Sequence, residues 1–135
     1  MPRYVRVTNT TRGSIIADRA RVASSMGDRM VGLLSTAEVR PGEGLLIERT
    51  QSIHMFFMRY PIDVVFFDSR GRVTKLLDGI KPWRIVPWAR GARDCLELRA
   101  GALEGTDTQV GDQLEITPVE LAGTGAAATG REASV

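Results

Sequence analysis

Few side chains in this chain of 135 residues could do acid–base or nucleophilic chemistry, since it has one histidine and one cysteine. The histidine, His54, lies in residues 53–67, where eleven of fifteen residues are apolar. Asp63 lies in the same segment, and an isolated carboxylate in apolar surroundings is costly unless it has a partner. The candidate partners of Asp63 are His54, Arg29, Arg59 and the backbone N–H groups that follow Pro61.

Polar groups within an apolar, aromatic segment are typical of a small-ligand pocket. We therefore predict a non-catalytic module that binds a small ligand or a partner through an apolar pocket around residues 54–63. Its candidate ligand-binding residues are His54, Phe56, Met58, Asp63, Trp83 and Glu97. The alternative interpretation is structural: Asp63 caps the turn at Pro61, and His54 is a hydrogen-bonded residue of a strand.

A hydrolase-like enzyme is the second hypothesis, with His54 as general base, Asp63 or Glu97 orienting it, and Cys95 as a nucleophile. Cys95 directly follows Asp94 and lies two residues before Glu97. Because neighbouring negative charge raises a thiol pKa, this setting disfavours the nucleophile, and we assign no catalytic residue. One histidine and one cysteine cannot build a His- or Cys-based metal site, so no metal or cofactor is predicted.

The charge pattern leaves nucleic-acid binding as a weaker alternative. Net charge is +2, from 18 basic and 16 acidic residues. Residues 70–93 hold seven basic residues against one acidic residue, together with Trp83 and Trp88, whereas residues 94–120 hold seven acidic residues against one basic residue. Basic residues interleaved with aromatics can bind single strands, but the adjacent acidic stretch favours mutual neutralisation. The expected partner is a small molecule or a protein.

Hydrophobic periodicity predicts a mainly β chain. Alternating segments indicate strands at 4–8, 14–23, 45–48, 52–58, 63–68, 73–77, 94–98 and 113–117. The apolar spacing of residues 25–35 predicts one short helix. If Asp63 lies in a strand, its side chain is on the same face as those of Val65 and Phe67, and the side chains of Val64 and Phe66 are on the other face. The predicted fold is a small antiparallel β-barrel-like domain of about eight to nine strands with one or two short helices.

Composition divides the chain into one β-rich domain over residues 1–118 and a tail over 119–135. Between residues 123 and 135 the only bulky apolar residue is Val135, too little to offset the entropy of ordering, so we expect disorder there. No apolar run approaches the roughly 20 residues of a membrane-spanning helix, and the first residues lack a signal-peptide core. A cytoplasmic monomer is the expectation.

Four segments resemble the family known as domain of unknown function 192. The longest is residues 53–68, Ile-His-Met-Phe-Phe-Met-Arg-Tyr-Pro-Ile-Asp-Val-Val-Phe-Phe-Asp. Residues 29–34 resemble an Arg-x-x-Gly-Leu-Met segment of that family, residues 96–101 a Glu-Leu-x-x-Gly segment, and residues 110–112 its final turn. Order and spacing agree over residues 20–117. The resemblance implies a small β-barrel-like domain and supplies no reaction.

The matching positions include most of the candidate site. They are Arg29, Gly32, His54, Phe56, Met58, Asp63, Asp68, Glu97, Gly101 and Asp112. The chain departs from the family pattern at Leu34, where methionine is usual, and at Phe57, where methionine or glycine is common. Both departures weaken any argument for a methionine cluster.

Overall fold

The computed structural model describes residues 3–23, 42–49, 53–54, 61–81, 85–86 and 89–119, with backbone alone at 53–54 and 85–86. These residues form strands and turns, and the described part of the chain contains no helix. The strands are β1 Tyr4–Asn9, β2 Ser14–Ala23, β3 Glu43–Ile47, β4 Ile53–His54, β5 Ile62–Phe67, β6 Val73–Ile80, β7 Ile85–Val86, β8 Asp94–Arg99 and β9 Leu114–Pro118. The predicted mainly β class is therefore confirmed.

Seven strands form one sheet in the order β6-β5-β8-β3-β2-β1-β9, while β4 and β7 pair separately. Every neighbouring pair in the large sheet is antiparallel except β2 and β3, which are parallel. A parallel pair needs a crossover connection, which here runs between Ala23 and Glu43. The helix predicted at residues 25–35 falls in that connection and lies outside the described residues.

The large sheet is curled into a half-barrel whose two edge strands meet at one end. Arg72 and Gln113, the residues that precede β6 and β9, form an isolated antiparallel bridge. The Leu114 N–H donates to the Gly71 carbonyl at 2.8 Å, and the Val73 N–H donates to the Asp112 carbonyl at 2.9 Å. Full barrel closure, the strand count and the short helices of the sequence prediction remain predictions.

Two apolar clusters lie on opposite faces of the sheet. One contains residues of both edge strands, Val73 and Leu114, so it fills the inside of the curl; we call this side the inner face. The other is formed by β2, β3, β5 and β8 together with Ala89 and Ala92, which precede β8, and we call its side the outer face. The outer cluster is Ala23, Leu45, Ile47, Ile62, Val64, Phe66, Ala89, Ala92 and Cys95. Every residue of β5 is buried, because this strand lies between β6 and β8 and is covered on both faces.

A tight turn at residues 68–71 joins β5 to β6. The Asp68 carboxylate accepts the N–H groups of Arg70 and Arg72, each at 2.9 Å. Gly71 has a φ of 83°. A Cβ at Gly71 would lie 2.7 Å from the Leu114 carbonyl oxygen. Only glycine therefore lets this turn approach β9 closely enough to join the sheet edges.

Candidate functional site

Asp63 lies on the inner face of the sheet, and both oxygens of its carboxylate accept hydrogen bonds. It is 1% exposed. Its Oδ1 accepts the Gly79 N–H at 2.8 Å, and its Oδ2 accepts the N–H groups of Gly101 and Leu103 at 3.0 and 3.1 Å. These donors lie on β6 and in the turn after β8, not after Pro61. Asp63 thus links β5 to two other segments through backbone groups, which supports the structural interpretation with different partners.

Glu97 is the opposite case, a buried carboxyl with an unsatisfied oxygen. It lies in the middle of β8 and is 2% exposed. Its Oε2 has no hydrogen-bond partner in the part of the chain that the structure describes. Burial raises the pKa of Glu97 from 4.5 to about 8, because removal from water penalises the charged form. The side chain is therefore mostly a neutral acid at pH 7, able to donate and accept a hydrogen bond.

The surroundings of Glu97 follow from the strand register. Glu97 pairs with Leu45 of β3 on one side and with Val64 of β5 on the other. Directly paired residues share a face, so Glu97 lies on the outer face between two buried aliphatic side chains. Cys95, two residues earlier on β8, lies on the same face. An acid that lacks a partner is thus set in an apolar surface.

The structure does not bring Asp63 and Glu97 together. Asp63 pairs with Leu98, whose side chain belongs to the inner cluster, whereas Glu97 pairs with Val64 of the outer cluster. The two carboxyl groups lie on opposite faces of the sheet. The structure therefore does not bring these two candidate anchors together, and their assignment to one ligand-binding pocket stays a prediction.

Solvent-exposed charges lie next to the buried position of Glu97. Arg99 is exposed and lies two residues further along β8, roughly 7 Å at the usual rise of a strand. Arg19 pairs with Glu43 on β2 and β3, and both are exposed. Arg19, Glu43 and Arg99 are solvent-exposed and lie at the same end of the outer face, and we call these three residues the charged rim. Glu97 lies two residues before Arg99 on β8, on the buried side of this rim.

Cys95 is a poor nucleophile. It is fully buried, with no exposed surface. Burial raises its thiol pKa well above the usual value, and the nearby Glu97 and Asp94 raise it further. The thiolate, which is the reactive form, is therefore suppressed.

The remaining candidate residues are less fully described. The backbone of His54 pairs with Ile85 in the short β4–β7 sheet, and its side chain lies outside the described part. Phe56, Met58 and Trp83 also lie outside the described residues. Their assignment as ligand-binding residues stays a prediction. Among the described residues, no group of three or more histidine, cysteine or acidic side chains could hold a metal ion.

A polar cluster that sequence reasoning missed connects the β1–β2 hairpin to the turn before β9. The Asn9 amide donates to Asp112 at 3.0 Å and to Thr108 at 3.1 Å. Arg12 donates from Nε to the Asp112 carboxylate, also at 3.0 Å. Hydrogen bonds from Arg12 and Asn9 lower the pKa of Asp112 to about 2. In the sequence these positions show only local turn-forming residues, which do not indicate that the two turns meet.

The comparisons with known proteins agree with this architecture. Residues 7–116 match the sequence profile of domain of unknown function 192, described as an uncharacterized ACR. The chain belongs to this family. The resemblance seen in the sequence is thereby confirmed.

Two curated relatives extend the comparison. A UPF0127 protein of Thermococcus sibiricus is 32% identical over 114 residues, covering 79% of this chain and 71% of the relative. A UPF0127 protein of Pyrococcus furiosus is 34% identical over 113 residues, covering 79% of this chain and 94% of the relative. Neither name states an activity.

Two solved structures share the fold. A protein of unknown function from Novosphingobium aromaticivorans superposes with a TM-score of 0.70 at 22% identity, covering 83% of each chain. A protein of Sinorhizobium meliloti, described as a "putative transcription regulator", superposes with a TM-score of 0.72 at 23% identity, covering 86% of this chain and 94% of the other. At these identities the likeness concerns the fold. Among the described residues, no helix is long and apolar enough to cross a membrane.

Proposed function

We propose that this protein is a non-catalytic binding module that holds a small ligand or a partner segment on the outer face of its sheet. The binding pocket is formed around residues 54–63 and is anchored by Glu97. The observation that carries the proposal is the buried Oε2 of Glu97, which has no partner among the described residues. A buried polar atom left unpaired costs roughly 1–3 kcal/mol, so a bound group that pairs with it would be held there.

Continuity of the chain supports this position for the pocket. Ile62 and Val64 begin β5 on the outer face, beside Arg99 and Glu97 respectively. Residues 54–63, which the sequence identified as the pocket segment, therefore lead directly into the face that carries Glu97. Phe56, Met58, His54 and Trp83 complete the pocket in this proposal. Asp63 supports the fold and does not contact the ligand.

We also propose, from the sequence, a closed barrel with short helices, a single domain over residues 1–118, and a monomer.

A hydrolase-like activity is the less favoured candidate. Its nucleophile, Cys95, is buried and has a raised thiol pKa, and Asp63 already accepts three backbone N–H groups. Neither residue is free for the roles that such an enzyme requires.

Methyl NMR with a mixture of three probes, benzamide, benzoate and benzylamine, tests the proposal. The outer face is reported by Leu45, Val64 and Leu77, and the inner face by Val7 and Leu114. The proposal predicts shifts at outer-face methyls while the inner-face methyls stay unchanged. Absence of shifts, or shifts confined to the inner face, would contradict it.

A further inference from the structure

We infer that the ligand group that contacts Glu97 is uncharged and both donates and accepts hydrogen bonds, as an amide does. This inference rests on the proposed binding function and specifies the chemistry of the same site. It is carried by the apolar neighbours of Glu97, by the charges that share its face, and by the match between two hydrogen-bonding groups.

The immediate neighbours of Glu97 disfavour any charged group. Leu45 is 4% exposed, and Val64 and Cys95 have no exposed surface. Moving an ion from water into such surroundings is costly unless it forms a well-paired contact. Glu97 itself is subject to this penalty, since burial alone raises its pKa to about 8. A ligand group placed beside it meets the same low-dielectric environment.

The charges that face Glu97 further disfavour a cation. On the outer face within two strands of Glu97, the described basic residues are Arg19, Arg21, Lys75 and Arg99, and the described acidic residues are Glu43 and, at the bulge of β2, Asp18. The more distant β1 and β9 add Arg6 and Glu115. Basic residues therefore outnumber acidic ones near Glu97, four to two. The ammonium group of an amine would be repelled by this excess. It would also require Glu97 to lose its proton in an apolar setting.

An anion fits the rim better than the buried position. The Arg19 and Arg99 side chains are exposed, so they attract an anion while it stays in water. To reach Glu97 an anion must leave that water for the apolar surroundings of Leu45, Val64 and Cys95, where its charge is costly. An anionic group therefore stays at the charged rim.

An amide matches the acid at both of its oxygens. A protonated carboxyl donates one O–H and accepts at its other oxygen, while an amide accepts at its carbonyl and donates from its N–H. The pair satisfies Oε2 without creating a buried charge. Because glutamine offers the same two functions at the same length, Glu97→Gln should preserve recognition, whereas an apolar residue should abolish it.

Separate titrations of benzamide, benzoate and benzylamine at pH 6.5, followed by the outer-face methyls, test the inference because the three probes share one phenyl ring. We expect benzamide to bind at least tenfold more tightly than either charged probe. In E97Q its affinity should stay within about threefold of wild type. In E97L it should fall about tenfold or more, the effect of losing roughly 1.4 kcal/mol. Glu115 is exposed on β9, and E115Q is the matched control that should leave affinity unchanged.

The outcomes separate the two proposals. If benzylamine or benzoate binds as tightly as benzamide, the amide inference is overturned while the binding function stands. If no probe moves the outer-face methyls, the binding function itself is overturned. Unchanged inner-face methyls report that E97L is folded, and E97M serves as the second apolar variant if it is not. Benzamide affinity that persists in both apolar variants would also overturn the inference.

Discussion

At the scale of single residues, two buried carboxyls on adjacent strands differ in their hydrogen bonding. Asp63 accepts three backbone N–H groups, whereas Oε2 of Glu97 has none from the described residues. Burial is nearly equal for the two, at 1% and 2% exposure. Hydrogen bonding therefore distinguishes a carboxyl that holds the fold together from one with an unpaired oxygen, which we propose as the ligand anchor.

Replacement of Asp63 tests its structural role. Asp63→Asn turns one accepting oxygen into an NH2 donor that faces backbone N–H groups. We expect a loss of about 3 kcal/mol in the free energy of unfolding, since buried donors are left unpaired. Urea denaturation is the measurement. Asp78 is exposed on β6, and D78N should change stability by less than about 0.5 kcal/mol. Equal effects of the two substitutions would refute this role.

The Glu97 pKa predicts an unusual dependence of stability on pH. Its folded pKa, about 8, lies above the usual 4.5. Between these values the folded state holds a proton that the unfolded state has lost, so this contribution to stability falls as pH rises and is constant above pH 8. Wild type should lose roughly 2 to 4 kcal/mol relative to E97Q between pH 5 and 8, given about 1.4 kcal/mol per pKa unit.

Urea titrations at several pH values provide this comparison. The difference in unfolding free energy between E97Q and wild type should widen from pH 5 to 8. E115Q, which removes an exposed carboxylate, should follow the wild-type curve. A difference that is independent of pH would mean that Glu97 is already ionised in the folded protein.

At the scale of elements, the turn at residues 68–71 determines whether the sheet edges meet. Gly71→Ala places a methyl group 2.7 Å from the Leu114 carbonyl oxygen, in a residue with φ of 83°. Gly13, with φ of 70° and no atom within 4 Å of its Cβ position, is the matched control. Both alanines incur the left-handed backbone cost of about 1 kcal/mol, but G71A should lose roughly 2 kcal/mol more through the collision. Equal thermal stabilities would show that the edges do not need this approach.

Many strands could be predicted from sequence, whereas the pairing of the strands and the hydrogen-bond partners of buried residues could not. Period-two alternation indicated β2 at its observed limits and β1, β5 and β8 within two residues. The parallel pairing of β2 and β3 escaped prediction, because register depends on residues distant in the chain. For the same reason the partners of Asp63, 16 to 40 residues away, were not identified. Sequence could propose Glu97 as a polar anchor, but only the strand register showed that Glu97 and Asp63 lie on different faces of the sheet.

At the scale of the whole molecule, the described part of the chain ends at Val119, directly after β9, and the Val119 N–H donates to the Tyr4 carbonyl at 3.0 Å. The sequence predicts that the residues beyond it add nothing to the core. Removing residues 120–135 should change the melting temperature by less than about 2 °C. Removing residues 114–135 deletes β9, so β1 loses one of its partner strands. We expect this longer deletion to abolish the cooperative unfolding transition. A large loss of stability from the shorter deletion would contradict the predicted domain boundary.

We propose that Glu97 is a buried, uncharged acid whose unpaired oxygen binds a hydrogen-bonding ligand. Carbon-13 NMR of the Glu97 carboxyl across pH, with and without benzamide, measures both its protonation and its response to a ligand. We expect a titration midpoint near pH 8 that moves higher with benzamide, because the ligand binds the protonated form. A midpoint near pH 4.5, unaffected by benzamide, would contradict both the burial of a neutral acid and its role as an anchor.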